Sequence, residues 1–309
     1  RSFEHAQVDA GSTGPTAKES ALAQEYANAV ASPGLALLGH LVDDDARFAF
    51  PGMQDAHGRD AVVRAHEALF GAFDPRRFAL TRVWRSASEQ SLEWTMGGVQ
   101  VHDWMTVKAT QKPVTIHGIT LLSTKDDGTI TDVRVYFDVA TVKAQLGAGP
   151  RELADLPAPV MPPPGTAPQI VEQGAQDQDN VAVVRTALDA LENTNENAYV
   201  EQMTDDGEIH TLERAQPLRG KEDRRAYFKA LHKSIAQLDT TVTNGWSAGA
   251  YAIVEYGITG EQIAPIAWVP VQRDQVVRLH VADVDEIHDG KITRIWRFDN
   301  PSELSAPGP

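Results

Sequence analysis

Apolar residues recur along this chain with two spacings, and the spacings alternate twice in the same order. Leu22, Tyr26, Ala29 and Val30 lie three and four apart, the repeat of an amphipathic helix, with Thr16 and Glu19 placed as a capping box ahead of them. A shorter helix is expected after Pro33, a residue suited to a first helical turn. A third begins near Asp60 and buries Val63, Leu69, Phe70 and Phe73. The period then falls to two, and strands are expected from Phe78 to Ser86, Ser91 to Val101, Val114 to Ser123 and Thr129 to Phe137. The second half repeats this order, with helices near Asp179–Leu191, Glu196–Met203 and Glu222–Leu238. Its strands are expected near Thr240–Ser247, Ala250–Thr259, Val276–Ile287 and Lys291–Phe298. "LVDDDAR", from Leu41, reads as an acidic turn that ends a helix.

The repetition extends to individual residues. "DGTITDVRVYFD" starts at Asp127 and "DGKITRIWRFDN" at Asp289, 162 positions on. At the same offset Trp84 maps to Trp246, Glu93 to Glu255, and "GRDAVVRAHEALFGAF" from Gly58 to "GKEDRRAYFKALHKSI" from Gly220. "LVDDDARF" resembles "QMTDDGEI" with a slip of one residue. The chain is therefore a tandem duplication. Its expected divisions are a flexible tether at 1–15, a first domain at 16–147, a linker at 148–175, a second domain at 176–303 and a tail at 304–309. The linker contains "PAPVMPPPG", whose prolines favour a semi-extended chain over regular structure. Helices followed by an antiparallel meander give an α+β layout, a curved sheet wrapped over its helices. Such a sheet makes a cone, and the mouth of a cone is a natural apolar pocket for a hydrophobic small molecule.

Composition narrows the partners. The 309 residues, 42% of them hydrophobic, can fill two cores. A formal net charge of −15 argues against nucleic acid or an anionic membrane face as the main partner. No apolar run approaches the roughly 20 residues of a membrane-spanning helix. Cysteine is absent, which removes disulfides, thiolate catalysis and cysteine metal sites. The polar, aperiodic start "RSFEHAQVDAGSTGPT" reads as a tether, as in an exported or anchored protein whose signal has been removed or, equally, a cytoplasmic one carrying the scar of a tag. No cofactor or metal is expected: phosphate-binding glycine loop, nucleophile elbow and His-Glu-x-x-His are all missing, and His102–Asp103 have no third ligand in register.

The order of elements, together with "GRDAV…FGAFDPRRF", the Asp-Gly hairpin and the closing "FDVATVKAQLG", resembles the SnoaL-like polyketide cyclases of the nuclear-transport-factor-2-like superfamily. The first copy matches over nearly its whole length. The second keeps "DGKI" and has "NPSELSAPG" in place of the closing Gln-Leu-Gly. The superfamily also includes ketosteroid isomerase and polyether epoxide hydrolases, some of them tandem. The resemblance implies two cystatin-like cones and a cofactor-independent cyclase, isomerase or epoxide hydrolase-like activity. Sheets in this superfamily often pack on one another, so an intramolecular pseudo-dimer is expected, lined by Trp84, Trp246, Glu93 and Glu255; a homodimer is a further option. Cyclases of this type pair an Asp on the last strand with a His on the strand before it. Counted from the Asp-Gly, those positions fall on Val135 and Leu121 in the first copy and on Arg297 and Asp283 in the second. The isomerase-type base position falls on Phe50, and near Thr211 or Leu212. Neither copy keeps the pair, so a standard mechanism does not carry over.

The remaining candidates follow from strand parity. If each hairpin closes with a type I turn and one bulge residue, like parities face each other. His117 then points into the first cone among Ile119, Leu121, Val133, Val135 and Phe137, where a neutral imidazole suits a base. Phe50 closes the lining, and His102, Asp103 and Trp104 shape the mouth. In the second cone the same count sets Asp283 opposite Arg297, with Asp299 close by. That pair either grips a polar substrate group or plugs an idle pocket. "HVADVDEIHDG" reads otherwise as a solvated hairpin, and Asp138 as a cap for the turn at "ATVKAQLG" in preference to a group leaning over the mouth. Two functions stay open: acid–base catalysis on a hydrophobic carbonyl or epoxide, or ligand binding without chemistry.

Overall fold

The computed structural model describes residues 17–174, 179–271 and 276–305, and side chains from Ala21 onward. The Thr16–Glu19 capping box lies outside the described residues, as do the whole of the tether and the last part of the tail. In the first half, α1 (Ala17–Ala31) and α2 (Arg59–Phe70) pack against a sheet made of β1 (Val42–Ala49), β2 (Ala56–His57), β3 (Arg77–Arg85), β4 (Glu89–Val99), β5 (Pro113–Thr124) and β6 (Ile130–Tyr136). α3 (Val139–Leu146) closes the unit. The second half repeats the plan with α4 (Asn180–Glu192), α5 (Glu196–Glu201), β8 (Met203–His210), β9 (Leu218–Arg219), α6 (Gly220–Ser234), β10 (Ile235–Ala248), β11 (Tyr251–Gln262), β12 (Val276–His288) and β13 (Lys291–Asp299). Both halves are α+β, with sheet orders β2-β1-β6-β5-β4-β3 and β10-β11-β12-β13-β8-β9.

Two local readings change. "LVDDDAR" is not a helix-ending turn but the start of β1, which runs parallel to β6. Its buried residues are Val42, Ala46 and Phe48, and the register shift between Val42 and Arg47 hides their alternation behind exposed acids. The linker is also less bare than its prolines suggest. Its end forms β7 (Gln169–Glu172), which adds to the first sheet alongside β3, and Leu153 is buried.

The hairpins differ by one residue, and the difference decides which side chains face inward. In the first, Lys125 and Thr129 close a three-residue turn with Gly128 at φ 82°. In the second, His288 pairs with Lys291 across Asp289 and Gly290, at φ 50° and 72°, a two-residue turn of type I′. Each hairpin also holds a bulge, at Ser123/Thr124 and Glu286/Ile287. The ladders therefore pair Ile119 with Tyr136 in one copy and Asp283 with Arg297 in the other. Like parities face each other only in the second.

The two sheets meet back to back. Trp84, Ile119, Leu121 and Tyr136 pack on Ala248, Ile253, Ala282, Val284 and Phe298, with Trp246 against the same cluster. The Arg82 guanidinium lies 3.7 Å from the centre of the Trp296 ring. Glu255, buried, accepts both oxygens' worth of hydrogen bonds from Arg134 Nε at 2.9 Å and one from the Tyr136 hydroxyl at 3.0 Å. Removing that carboxylate leaves Arg134 with Asp132 and Glu89 alone at the seam. Glu255→Ala is expected to cost about 3–5 kcal/mol in denaturant unfolding, the usual loss when a buried pair is broken from one side. A loss below about 1 kcal/mol would show that the seam does not need the pair.

Candidate functional site

The first cone is full. Phe50 and Phe137 lie 4.8 Å apart between ring centres, and Phe70 and Trp94 pack on Phe137. Val135 is buried in the same core. The polar groups inside form a closed network. His66 Nδ1 donates to the Val62 carbonyl at 2.9 Å, which leaves Nε2 to accept from the Tyr26 hydroxyl at 3.0 Å. Trp94 Nε1 donates to Thr120 Oγ at 2.9 Å. Burial holds the His66 imidazole neutral, with its pKa down to about 4.

His117 is not in that cone. With the ladder shifted by one residue, His117, Ile119 and Leu121 face the second domain. His117 Nε2 bonds the buried Glu93 at 2.9 Å, and its ring meets Phe298 edge-on at 5.4 Å. Glu93 is opposed by burial, but bonds from His117 and Arg82 outweigh that and bring its pKa down to about 2. Glu93 and His117 thus belong to the seam. His102 and Asp103 are exposed, and Asp103 binds Lys108 and the Ala109 N–H. Trp104 is buried and donates to the Leu69 carbonyl at 2.9 Å, packed on Phe73. These three form no common rim around the first cone.

The second cone carries charge where the first carries hydrocarbon. Thr120, Val135, Trp94, Leu122 and Phe137 have as their structural counterparts Asp283, Arg297, Tyr256, Asp285 and Asp299. Arg297 Nε donates to Asp283 Oδ1 at 3.0 Å and Nη2 to Oδ2 at 2.7 Å, a forked pair. Nη2 also reaches the Tyr256 hydroxyl at 2.8 Å, and that hydroxyl donates to Asp283 Oδ2 at 2.8 Å. Nη1 meets the hydroxyl of Tyr227, a half-buried residue of α6. Burial opposes the charge on Arg297, but Asp283 and the two tyrosines outweigh it and raise its pKa further.

Two more carboxyls share this interior without a cation of their own. Asp285 is 1% exposed and neither of its oxygens has a partner. Asp299 is 8% exposed and its Oδ1 has none. Burial, and then Asp283, raises Asp285 well above the usual carboxylate range. Burial, and then Glu213, does the same for Asp299. Both are thus pushed towards the neutral acid form, beside the forked Asp283–Arg297 pair. The solvated-hairpin reading of "HVADVDEIHDG" therefore fails at Asp285. Its shared parity with Asp283 was the available signal; Tyr227 and Tyr256 had none beyond lying on inward faces.

Asp138 caps α3, its Oδ1 accepting from Ala140 N at 2.8 Å. It does so at the seam, 1% exposed, with Oδ2 unpartnered. Burial pushes its pKa up to about 7, the α3 amide works against this, and Glu213 adds to the rise. A separate groove of about 530 Å³ runs along the seam, lined by Arg47, Phe50, Asp132, Arg134, Glu255 and His280 among others. Its arginines 47 and 134 are already paired with carboxylates in its walls.

The SnoaL-like domain family matches this chain twice, over residues 23–133 and 184–295. A search of curated protein sequences found no match. Among solved structures, a candidate SnoaL-like polyketide cyclase from Jannaschia sp. CCS1 is 22% identical, with 43% of this chain and all of that one covered at a TM-score of 0.37. A hypothetical protein with a ketosteroid isomerase-like fold from Catenulispora acidiphila, in complex with trimethylamine, is 19% identical over 40% of this chain and 88% of its own, with a TM-score of 0.34. An epoxide hydrolase of M. tuberculosis, of the LEH-like type, is 16% identical over 41% and 86%, with a TM-score of 0.33.

Asp138 gives a signed pH test. Its pKa is about 7 in the folded protein and about 4 in an unfolded chain. The proton is held more tightly when folded, so the stability it contributes is full below about pH 4 and is lost as pH rises towards 7. Asp138→Asn keeps a capping acceptor and stays neutral. Measured from pH 4 to pH 7, the variant's stability should rise relative to the parent by at most about 1.4 kcal/mol per pH unit, then level off. A difference that stays flat over this range would mean that Asp138 is ionised in the folded protein throughout.

Proposed function

The chain belongs to the SnoaL-like domain family in both of its halves, and on that premise we propose that its second domain is a cofactor-independent acid–base catalyst for a hydrophobic substrate bearing an epoxide or carbonyl oxygen. One observation carries the reading: Asp285 and Asp299 lie buried, with unpartnered oxygens, beside an ion pair that is already fully bonded. A plug would stop at the pair. Each extra unsatisfied carboxyl costs about 1–3 kcal/mol, which a purely structural core gains nothing by keeping. An anionic and a neutral carboxyl side by side in one buried interior are the two partners that general base and general acid require.

The roles follow from position. Asp299 is the more accessible of the neutral acids and donates its proton to the substrate oxygen. Asp283 accepts a proton from the attacking group. Arg297 and Tyr256 hold Asp283 in place, and Tyr227 stands at the accessible side of the pair. A carboxylate neutralised by a guanidinium has little drive to deprotonate carbon, which favours a water nucleophile. Epoxide opening then balances. Water gives its proton to Asp283 as its oxygen bonds to carbon, the carbon–oxygen bond of the ring breaks, and Asp299 protonates the released alkoxide. Carbonyl cyclisation or isomerisation would use the same two groups, with a C–H in place of water. The first domain supplies the surface against which the second is held, its own cone being packed with aromatic rings.

The test is a panel of apolar epoxides and 1,3-dicarbonyl compounds read by mass spectrometry. Epoxide opening adds one water to the mass; isomerisation leaves it unchanged. Asp283→Asn and Asp299→Asn should each lower kcat by about 10²- to 10⁴-fold, the range for removing a positioned acid or base. His117→Ala should leave turnover within about twofold, since a seam residue makes no contact with the reacting atoms. Binding of panel compounds without turnover, undiminished in Asp283→Asn, would instead support the ligand-binding reading, for which the saturation of Asp283 by Arg297 and Tyr256 is the supporting observation.

A further inference from the structure

The two halves meet at matched positions that the duplication has made chemically unequal. On one side of the pseudo-twofold, Asn300 donates to the Pro51 carbonyl at 2.9 Å and accepts from the Val139 N–H at 3.2 Å. This contact is neutral and satisfied. Asn300 corresponds to Asp138 at the 162-residue offset, and Pro51, at the one-residue slip by which β1 matches β8, to Leu212, the chain neighbour of Glu213. The equivalent place therefore holds two carboxyls, and Asp138 Oδ2 and Glu213 Oε2 are both buried without a partner. A third carboxyl, Asp299 of the second cone, lies in the same field, its Oδ1 likewise unpartnered. The Val139–Asn300 hydrogen bond joins the immediate chain neighbours of Asp138 and Asp299 across the seam, and Glu213 acts on both carboxyls.

We propose that Asp138, a residue of the first domain, is a positioning residue for the acid of the second cone: together with Glu213 it keeps the proton on Asp299. The second cone is then incomplete without the first domain. The physics is like-charge exclusion. When Asp138 or Glu213 carries charge in this water-poor seam, a further charge on Asp299 becomes unfavourable and its carboxyl stays neutral. The groups acting on Asp299 come from several elements. Glu213, Asp138 and Asp283 favour the neutral form, Arg297 opposes it, and Tyr227 of α6 lies in the field of both Asp299 and Glu213. Asp138 also caps α3. A cap alone would leave the titration of Asp299 untouched.

The inference rests on Asp299 being the acid proposed above, but it is tested without turnover. In protein labelled with ¹³C at the aspartate carboxyl carbons, the Asp299 resonance is assigned by its loss in Asp299→Asn and followed against pH. In Asp138→Asn its midpoint should fall by about half a pH unit or more, and further when Glu213→Gln is added. Asp138→Glu should restore most of the parental midpoint. His117→Ala, which alters the seam elsewhere, should not move it. Should Asp138→Asn fail to fold, Glu213→Gln alone carries the same expectation. An Asp299 midpoint unmoved in every folded variant of the two overturns the inference, even if Asp283→Asn and Asp299→Asn abolish turnover. A midpoint that moves in a protein without turnover would uphold it and leave the catalytic proposal to fail by itself.

Discussion

Successive side chains of a strand point to opposite faces, so one residue more or less in a hairpin turns the whole of a strand over. That constraint governs this molecule. The three-residue turn around Gly128 sends His117, Ile119 and Leu121 to the outside of the first sheet. The two-residue turn at Asp289–Gly290 sends Asp283 and Asp285 to the inside of the second. From one duplicated plan, one cone became a packed core with a closed Tyr26–His66 hydrogen bond, and the other a buried array of three carboxyls and a guanidinium.

The seam is the other half of that outcome. Residues turned outward by the first hairpin became its apolar floor, and Arg134 and Tyr136 became the donors that satisfy Glu255. Glu93, the matched residue of the first half, is held by its own domain's Arg82 and His117 instead. Duplicated acids thus stayed at matched places and took different partners. One of them reaches across the seam and the other does not.

Much of the architecture was legible in the chain. Helical and strand periods, the 162-residue repeat and the capping use of Asp138 are all local signals, and they correspond to α1, α2, α4, α5 and α6, the sheets and the N-terminus of α3, whose helix itself was read only as a turn. The expectation of an internal pseudo-dimer agrees with Trp84 and Glu255 lying at the seam. The first strand of each sheet was not legible, because Asp43, Asp44 and Asp45 interrupt the alternation of Val42, Ala46 and Phe48. Nor was the face of His117, since the same Asp-Gly dipeptide serves turns of two lengths and parity depends on which one forms. The buried state of Asp285 could be read from Asp283. The meeting of Asp138 with Glu213 could not, because it needs the relative placement of two domains.

β7 has a mechanical consequence. By joining β3, it pins the linker to the first sheet, so that only residues 173 to 179 separate the last anchored position from α4. A leash that short confines the second domain to a small volume beside its partner and corresponds to an effective concentration on the order of millimolar or above. A contact surface as polar as one built on Arg134, Glu255 and Arg82 then has no need of the affinity that two free chains would require. Severing the leash would ask those same residues to hold by affinity alone what connectivity now supplies.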